Sequence, residues 1–391
     1  MINGVRVYTA AVPMAAAFDH ATRSRRRSES LLVEVGLADG VRGWGEGAPR
    51  GYVTGETLRG AAAAVRACDP AGLAERIDWR TFESAAASIA ALPLPDLVAG
   101  PSAAAAVEIA LLDAACRRFC RPLAEALAVL DAPARVRRGG PVSVSLVIHL
   151  SRDVAAVLDA LPPPAVAALR HVKVKVADPA DAVRRLARAR SRLPAGVRVS
   201  LDVNGAWSAA QAERVAGELD GVAWVEEPLA PRSWPELARL RRATGLPVML
   251  DESCTGPADL DTAAACGAAS HVNVRLSKCG GFFAAARLGL RADALGVGCQ
   301  LGVHVAEVGP LWAAGRALAT AWGLWQTVEA GRADEWFPTP LTRPAFAVDR
   351  ALHQVRPLTG PGTGVEPADE LLRHTRCLAE WRPGDGWRRS G

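Results

Sequence analysis

Lysine is nearly missing from this chain. Of 46 basic residues in 391, only Lys173, Lys175 and Lys278 are lysines, and the other 43 are arginines. Long apolar runs are missing too: none reaches the roughly 18 residues that a membrane span needs, which predicts no membrane partner. The opening residues MINGVRVYTA lack the basic-then-apolar order of a secretion signal. The eight cysteines fall in no CxxC or zinc-like pairing, so they read as reduced thiols in a cytoplasmic protein. No P-loop, HExxH or GxSxG occurs, and GPGTGV near the C-terminus lacks the strand–helix context of a dinucleotide site. The net charge of +5 is small and scattered, so no nucleic-acid partner is expected; the run RSRRR at 23–27 reads as a solvated loop.

What is present is an ordinary globular balance, 50% hydrophobic and 22% charged, in a chain long enough for two or three domains or a barrel with an attachment. The scarcity of lysine carries a second message. A guanidinium cannot release its proton near neutral pH, whereas a desolvated ammonium can. Amines kept in a chain that otherwise uses arginine are candidates for proton transfer; chance or a need for a slimmer side chain is the alternative.

Residues 1–130 mix strands with alanine-rich helices. SLLVEVGLADGVRGWGEG reads as two strands around an Asp39-Gly40 turn, and PSAAAAVEIALLDAACRRF as a buried helix, apolar nearly all round. From about 141 the pattern alternates. Apolar β-type runs at 143–148, 171–176, 198–203, 222–227, 247–252, 271–276, 299–304 and 324–329 are separated by helix-like segments, with Ser208 a plausible N-cap. Eight such βα steps predict a closed parallel barrel. The expected organisation is an α/β fold: an N-terminal α+β capping domain (1–130), a modified TIM (β/α)7β barrel (131–340), and a segment (341–391) returning to the cap.

Polar groups stand at the C-terminal ends of consecutive strands: Lys173 and Lys175, then Asp202 and Asn204, then Glu226 and Glu227, then Asp251 and Glu252. Successive steps from Lys175 to Asp202, Glu226 and Asp251 are 27, 24 and 25 residues, one βα unit each. The three acids therefore recur at one height on the face where barrel catalytic loops converge. A single acid there could merely cap a helix, but three would repel one another unless neutralised. A hard divalent cation does this with oxygen ligands; Mg2+ fits best, with Mn2+ as a substitute. Lys173 and Lys175, two apart on a strand, share a face. Adjacent ammonium groups lower each other's pKa, so one could be a neutral base and the other a fixed cation. A base beside such a metal is what removal of a proton α to a carboxylate requires.

With these motifs in place, the sequence resembles the mandelate racemase / muconate lactonizing enzyme family of the enolase superfamily over nearly its whole length. WGEG at 44–47 and PSAAAAVEIALLDA at 101–114 are similar to its capping domain and first barrel helix; KVK, DVNGAW, VEEP, LDES and SKCGG are similar to barrel strands two to six. The KxK form is closer to the muconate lactonizing branch. The resemblance implies that Asp202, Glu226 and Asp251 hold the metal, that Lys175 is the general base, and that Lys173 is its electrostatic partner. It implies a homo-oligomer and a small-molecule carboxylate substrate. Glu227 and Glu252 should point away by strand alternation, and Asn204 should reach metal or substrate.

One departure stands out. The muconate lactonizing branch carries a second catalytic lysine on strand six, where HVNVRLSKCGG has Arg275. Either Arg275 is a fixed cation in a one-base mechanism, or another residue replaces the lysine. Lys278 is three positions on and aimed the other way by alternation; it is structural or a substrate contact. His304, near the end of strand seven, lies where mandelate racemase-like enzymes place a catalytic histidine. Glu307 and Glu329 could bind substrate or be structural. Segment 18–27 falls where the family has a mobile loop over the site, and a second loop at 49–57 could close beside it. The expected activity is Mg2+-dependent racemisation or epimerisation of a small, amino-acid-like carboxylate. β-Elimination (dehydration) or cycloisomerisation by one base is the rival, and a ligand-binding barrel without turnover is the alternative of another class.

Overall fold

The computed structural model describes residues 2–20, 23–132, 135 and 140–389, except the side chains of 18–20, 23 and 24. Its first unit is an antiparallel sheet begun by β1 (Ile2–His20), β2 (Arg23–Leu37) and β3 (Arg42–Gly47). β2 and β3 join through the expected turn, with Gly40 at φ 88°. The first and second strands pair out to His20↔Arg23, so the backbone on both sides of residues 21–22, expected as a loop, is a strand ladder; the side chains of 18–24 in that lid segment lie outside the described residues.

The WGEG motif explains how this sheet packs. Gly43, Gly45 and Gly47 alternate along β3 and so share a face. That face lies against helix α1 (Pro101–Arg118), so closely that a Cβ at these three positions would overlap the main chain at Ala110, Ala106 and Ser102. Those residues recur every fourth position and form one small-residue stripe of the helix. The stripe and the glycines explain an alanine-rich helix buried over almost all its length. Trp44 and Glu46 alternate to the other face of β3, which leaves Glu46 free to serve the barrel.

The second unit is an eight-stranded parallel sheet in sequential order: β4 (Leu146–Ile148), β5 (His171–Lys175), β6 (Arg198–Asp202), β7 (Val225–Glu226), β8 (Val248–Leu250), β9 (His271–Val274), β10 (Gly298–Leu301) and β11 (Trp325–Val328). The Ser145 N–H donates to Val328 O at 2.8 Å, tying the last strand to the first and closing the ring. All eight expected strands are present, most of them shorter at their C-terminal ends, where the polar residues curl off the ladder to form the rim. The helices between them follow the expected signals; Ser208 caps Ala209–Val215 in a reciprocal box with Gln211. The fold is a modified (β/α)7β barrel with an N-terminal α+β capping domain. β12 (Thr375–Arg382) and β13 (Gly386–Arg389) then add to the cap sheet beside β1, in the order β13-β12-β1-β2-β3. No helix among the described residues is long and apolar enough to cross a membrane.

Candidate active site

Barrel register sets the height of each functional group. Lys175 pairs with Asp202 and Asp202 with Glu226, while Glu226 pairs with Met249. Asp251 therefore lies two residues beyond its neighbour's partner. All three carboxylates are buried. Lys173 Nζ bridges the first two, 3.1 Å from Asp202 Oδ2 and 2.8 Å from Glu226 Oε2, and lies 2.9 Å from Glu329 Oε1. Arg275 Nη2 pairs with Asp251 Oδ2 and lies 3.7 Å from Glu226 Oε1. Lys175 Nζ donates to Asp202 Oδ2 at 2.8 Å and to Asn204 Oδ1 at 2.9 Å. Glu329, from the end of strand eight, lines the same cavity.

The electrostatics correct one expectation. Burial works against the Lys173 ammonium, but Asp202, Glu226 and Glu329 outweigh it and hold its pKa well above the usual value. Paired amines lower each other only when carboxylates do not surround them. Burial, with Asp202 and Asp251 as like-charged neighbours, pushes Glu226 up to about 7. Among the described residues no three acidic, His or Cys side chains form a ready cation cage, since Lys173 and Arg275 bridge the acids in pairs. Yet among the described residues Asp202 Oδ1 has no partner, and Glu226 Oε2 and Asp251 Oδ2 meet only the side-chain cations Lys173 and Arg275. One oxygen from each acid, on adjacent strands and held at most by a neighbouring cation, is the hard donor set that suits a divalent ion.

Other expectations are revised by position. Lys278, weighed as a substrate contact, is fully buried and donates to Asp251 O (2.6 Å), Asp251 Oδ1 (2.9 Å) and Asn273 O (2.7 Å). It braces Asp251 and does not line the cavity. Residues Leu276–Cys279 form a helical turn, so strand alternation does not apply to it. Glu307, the other candidate substrate contact, is buried away from the cavity and accepts the His304 N–H at 2.7 Å. Glu227 does turn away and supports the acids from below, accepting the Asp251 N–H at 2.7 Å. Glu252 does not: it follows the end of β8, lines the cavity, and accepts from Asn204 Nδ2 at 3.2 Å.

The cavity encloses about 690 Å3, counting its open mouth. Tyr52 from the 49–57 loop, His149 after strand one, and Arg332 and Trp336 after strand eight also line it. His149 and Trp336 meet edge to face at 5.3 Å. Sequence reasoning missed His149, although the strand-end rule applied to β4 finds it. His304 lines the cavity with both ring nitrogens lacking a hydrogen-bond partner among the described residues. Burial, then Arg275, Arg50, Lys278 and Arg25, hold its pKa well below the usual histidine value, so the imidazole is neutral.

A barrel with this rim and cap defines an enolase-superfamily enzyme. Residues 2–128 match the family described as mandelate racemase / muconate lactonizing enzyme, N-terminal domain, and residues 159–371 match enolase C-terminal domain-like. The chain belongs to the mandelate racemase / muconate lactonizing enzyme family. It is similar to an L-Lys-D/L-Arg epimerase of Methylococcus capsulatus, 30% identical over 77% of this chain and 82% of that one. It is also similar to muconate cycloisomerase 1 of Rhodococcus opacus, 30% identical over 74% and 76%. A solved dipeptide epimerase from Cytophaga hutchinsonii shares the fold, with a TM-score of 0.80 at 20% identity over 96% of this chain and 99% of that one. The chain is accordingly an isomerase of this superfamily, and its chemistry is metal-dependent abstraction of a proton α to a carboxylate, with racemisation or epimerisation as the favoured outcome.

Proposed function

We propose that the chain is a Mg2+-dependent epimerase or racemase of a small amino-acid-derived carboxylate, with Lys175 and His304 as proton-transfer groups on its two faces. One arrangement carries the reading. The acids occupy strands three to five, Lys175 stands on strand two, and Arg275 and His304 stand on strands six and seven. In a ring of eight, strand six is diametrically opposite strand two, so a substrate held at the acids has its α-carbon flanked by Lys175 on one side and by Arg275 and His304 on the other. Arg275 is charge-locked by Asp251 and cannot accept a proton. His304 is neutral, unpartnered and open to the cavity.

Asp202, Glu226 and Asp251 would hold a divalent ion, which would supply Lewis-acid stabilisation of the enolate. Lys175 removes the α-proton from one face, with Asn204 orienting its amine. On the other face the neutral His304 accepts the α-proton of the opposite epimer, and in each direction the group across the enolate, in its protonated form, returns a proton. Lys173 and Arg275 remain cationic beside the developing charge. A dipeptide or N-acyl amino acid is the substrate class that relatives acting on such compounds support, as does the Mg and D-Ala-L-Val complex of the Cytophaga epimerase. The cysteine spacing, with no CxxC or zinc-like pairing, supports a cytoplasmic setting. Cycloisomerisation is the second reading, favoured by the loss of a lysine at 275.

The test is proton NMR in D2O with Mg2+ and a panel of L-Ala-L-Xaa dipeptides, N-succinyl amino acids and cis,cis-muconate. Deuterium at the α-carbon with loss of configuration is expected. Lys175→Ala should lower exchange at one face by about 100-fold or more. Lactone formation without α-exchange, or an unchanged Lys175→Ala rate, defeats the proposal.

A further inference from the structure

The loop that carries His304 is shaped from outside the barrel. Between β10 and the helix Pro310–Ala321, its main-chain groups beyond His304 are held by the capping domain. Arg50 Nη2 donates to Val305 O at 3.2 Å, and Ser28 Oγ donates to Ala306 O. Glu46, on β3, accepts the N–H groups of Val308 (2.7 Å), Gly309 (2.9 Å) and Leu311 (3.2 Å), and Ser30 Oγ steadies it at 2.8 Å. Ala306 sits at φ 61°, a left-handed backbone that an alanine resists unless its surroundings impose it.

Arg50 is the unusual member of this clamp. It is 2% exposed, yet among the described residues its hydrogen bonds go only to carbonyls: Glu29 O (2.8 Å) and Pro49 O (3.0 Å) on the cap, and Val305 O on the barrel. A buried guanidinium without a directly bonded carboxylate is costly, so its retention points to the geometry it imposes. Among the described residues the His304 ring has no hydrogen-bond partner to aim it. Its direction follows from the backbone of residues 303–307, where Glu307 closes the inner side through the His304 N–H.

We propose that Arg50 is a positioning residue for His304: by fixing Val305 from the capping domain it sets the aim of the imidazole, and so the proton transfer on the second face only. This rests on the two-face reading above. The test uses Arg50→Met and Arg50→Lys in the full chain, with L-Ala-L-Val and L-Ala-D-Val as probes, and follows α-proton exchange in D2O from each epimer. Lys175→Ala identifies which epimer reports the Lys175 face. In Arg50→Met that face should exchange within 3-fold of wild type, while the opposite face and epimerisation fall at least 30-fold; Arg50→Lys should restore part of the loss. Equal loss on both faces, or no loss, overturns the proposal. The crystal structure of Arg50→Met decides the matter without a substrate: Ala306 should leave the left-handed region or the His304 ring should move, and an unchanged loop refutes it. If the wild type exchanges neither probe, the two-face reading fails for these dipeptides, and that structure still decides the role of Arg50. Should Arg50→Met not fold, Ser28→Ala loosens the same loop and is read by the same two criteria.

Discussion

Replacing His304 by asparagine separates catalysis from stability more cleanly than any other change at the rim. The imidazole is buried, but neither nitrogen bonds to any of the described residues. Its removal strands no donor or acceptor, and the carboxamide fills much of its volume. The expected stability loss is therefore below ~2 kcal/mol, the range of a modest core truncation. The catalytic loss should be far larger. A positioned general acid–base group contributes about 100- to 10,000-fold, or ~3–5 kcal/mol of barrier. In D2O, His304→Asn should still exchange the α-proton from the Lys175 face with retention of configuration, while epimerisation falls by at least about 100-fold. Because the imidazole is already neutral, the wild-type rate should show no rise around the ordinary histidine pKa attributable to this group. Epimerisation within a few-fold of wild type in a folded His304→Asn would refute the assignment and return the second face to Arg275 or a one-base course.

Two further outcomes follow from packing and burial. Glu108 of α1 accepts the Phe282 and Phe283 N–H groups, and burial pushes its pKa from 4.5 up to about 7. A carboxyl raised on folding stabilises in its protonated form: the contribution is full below pH 4.5 and lost as pH rises through about 7. Denaturation midpoints of wild type should therefore fall between pH 5 and 8 relative to Glu108→Gln, by the equivalent of up to ~3 kcal/mol; parallel profiles would count against it. Gly45→Ala would drive a Cβ into Ala106 O. With main chain on both sides, nothing flexible can yield, and at least ~3 kcal/mol should be lost in urea unfolding; a wild-type midpoint would show that β3 and α1 can separate cheaply.

The parts of this site that could be read in the sequence were those carried by a period. Strand spacing placed Asp202, Glu226 and Asp251 in one ring, and two-residue alternation put both KVK amines inside. What could not be read were contacts between distant segments. Glu46 was visible as part of WGEG, but its partners lie more than 260 residues on, at 308–311. The rise in the Lys173 pKa depends in part on Glu329, delivered from strand eight by ring closure. Glu252 and Lys278 escaped alternation because the ladder ends before them, and a turn or helical residue obeys a different geometry.

The lysine count gives the last step. All three lysines of the chain are buried at the barrel rim: two among the acids, and one bracing Asp251. Everywhere else a positive charge is an arginine. In such a chain an amine persists where an amine is needed, so the arginine at 275 marks a position where proton release is not needed. Its pairing with Asp251 agrees, since an arginine so held offers charge and shape only. Two-face chemistry then requires a different acceptor near strand six, and His304, one strand further round the ring and without a hydrogen-bond partner among the described residues, fills that place.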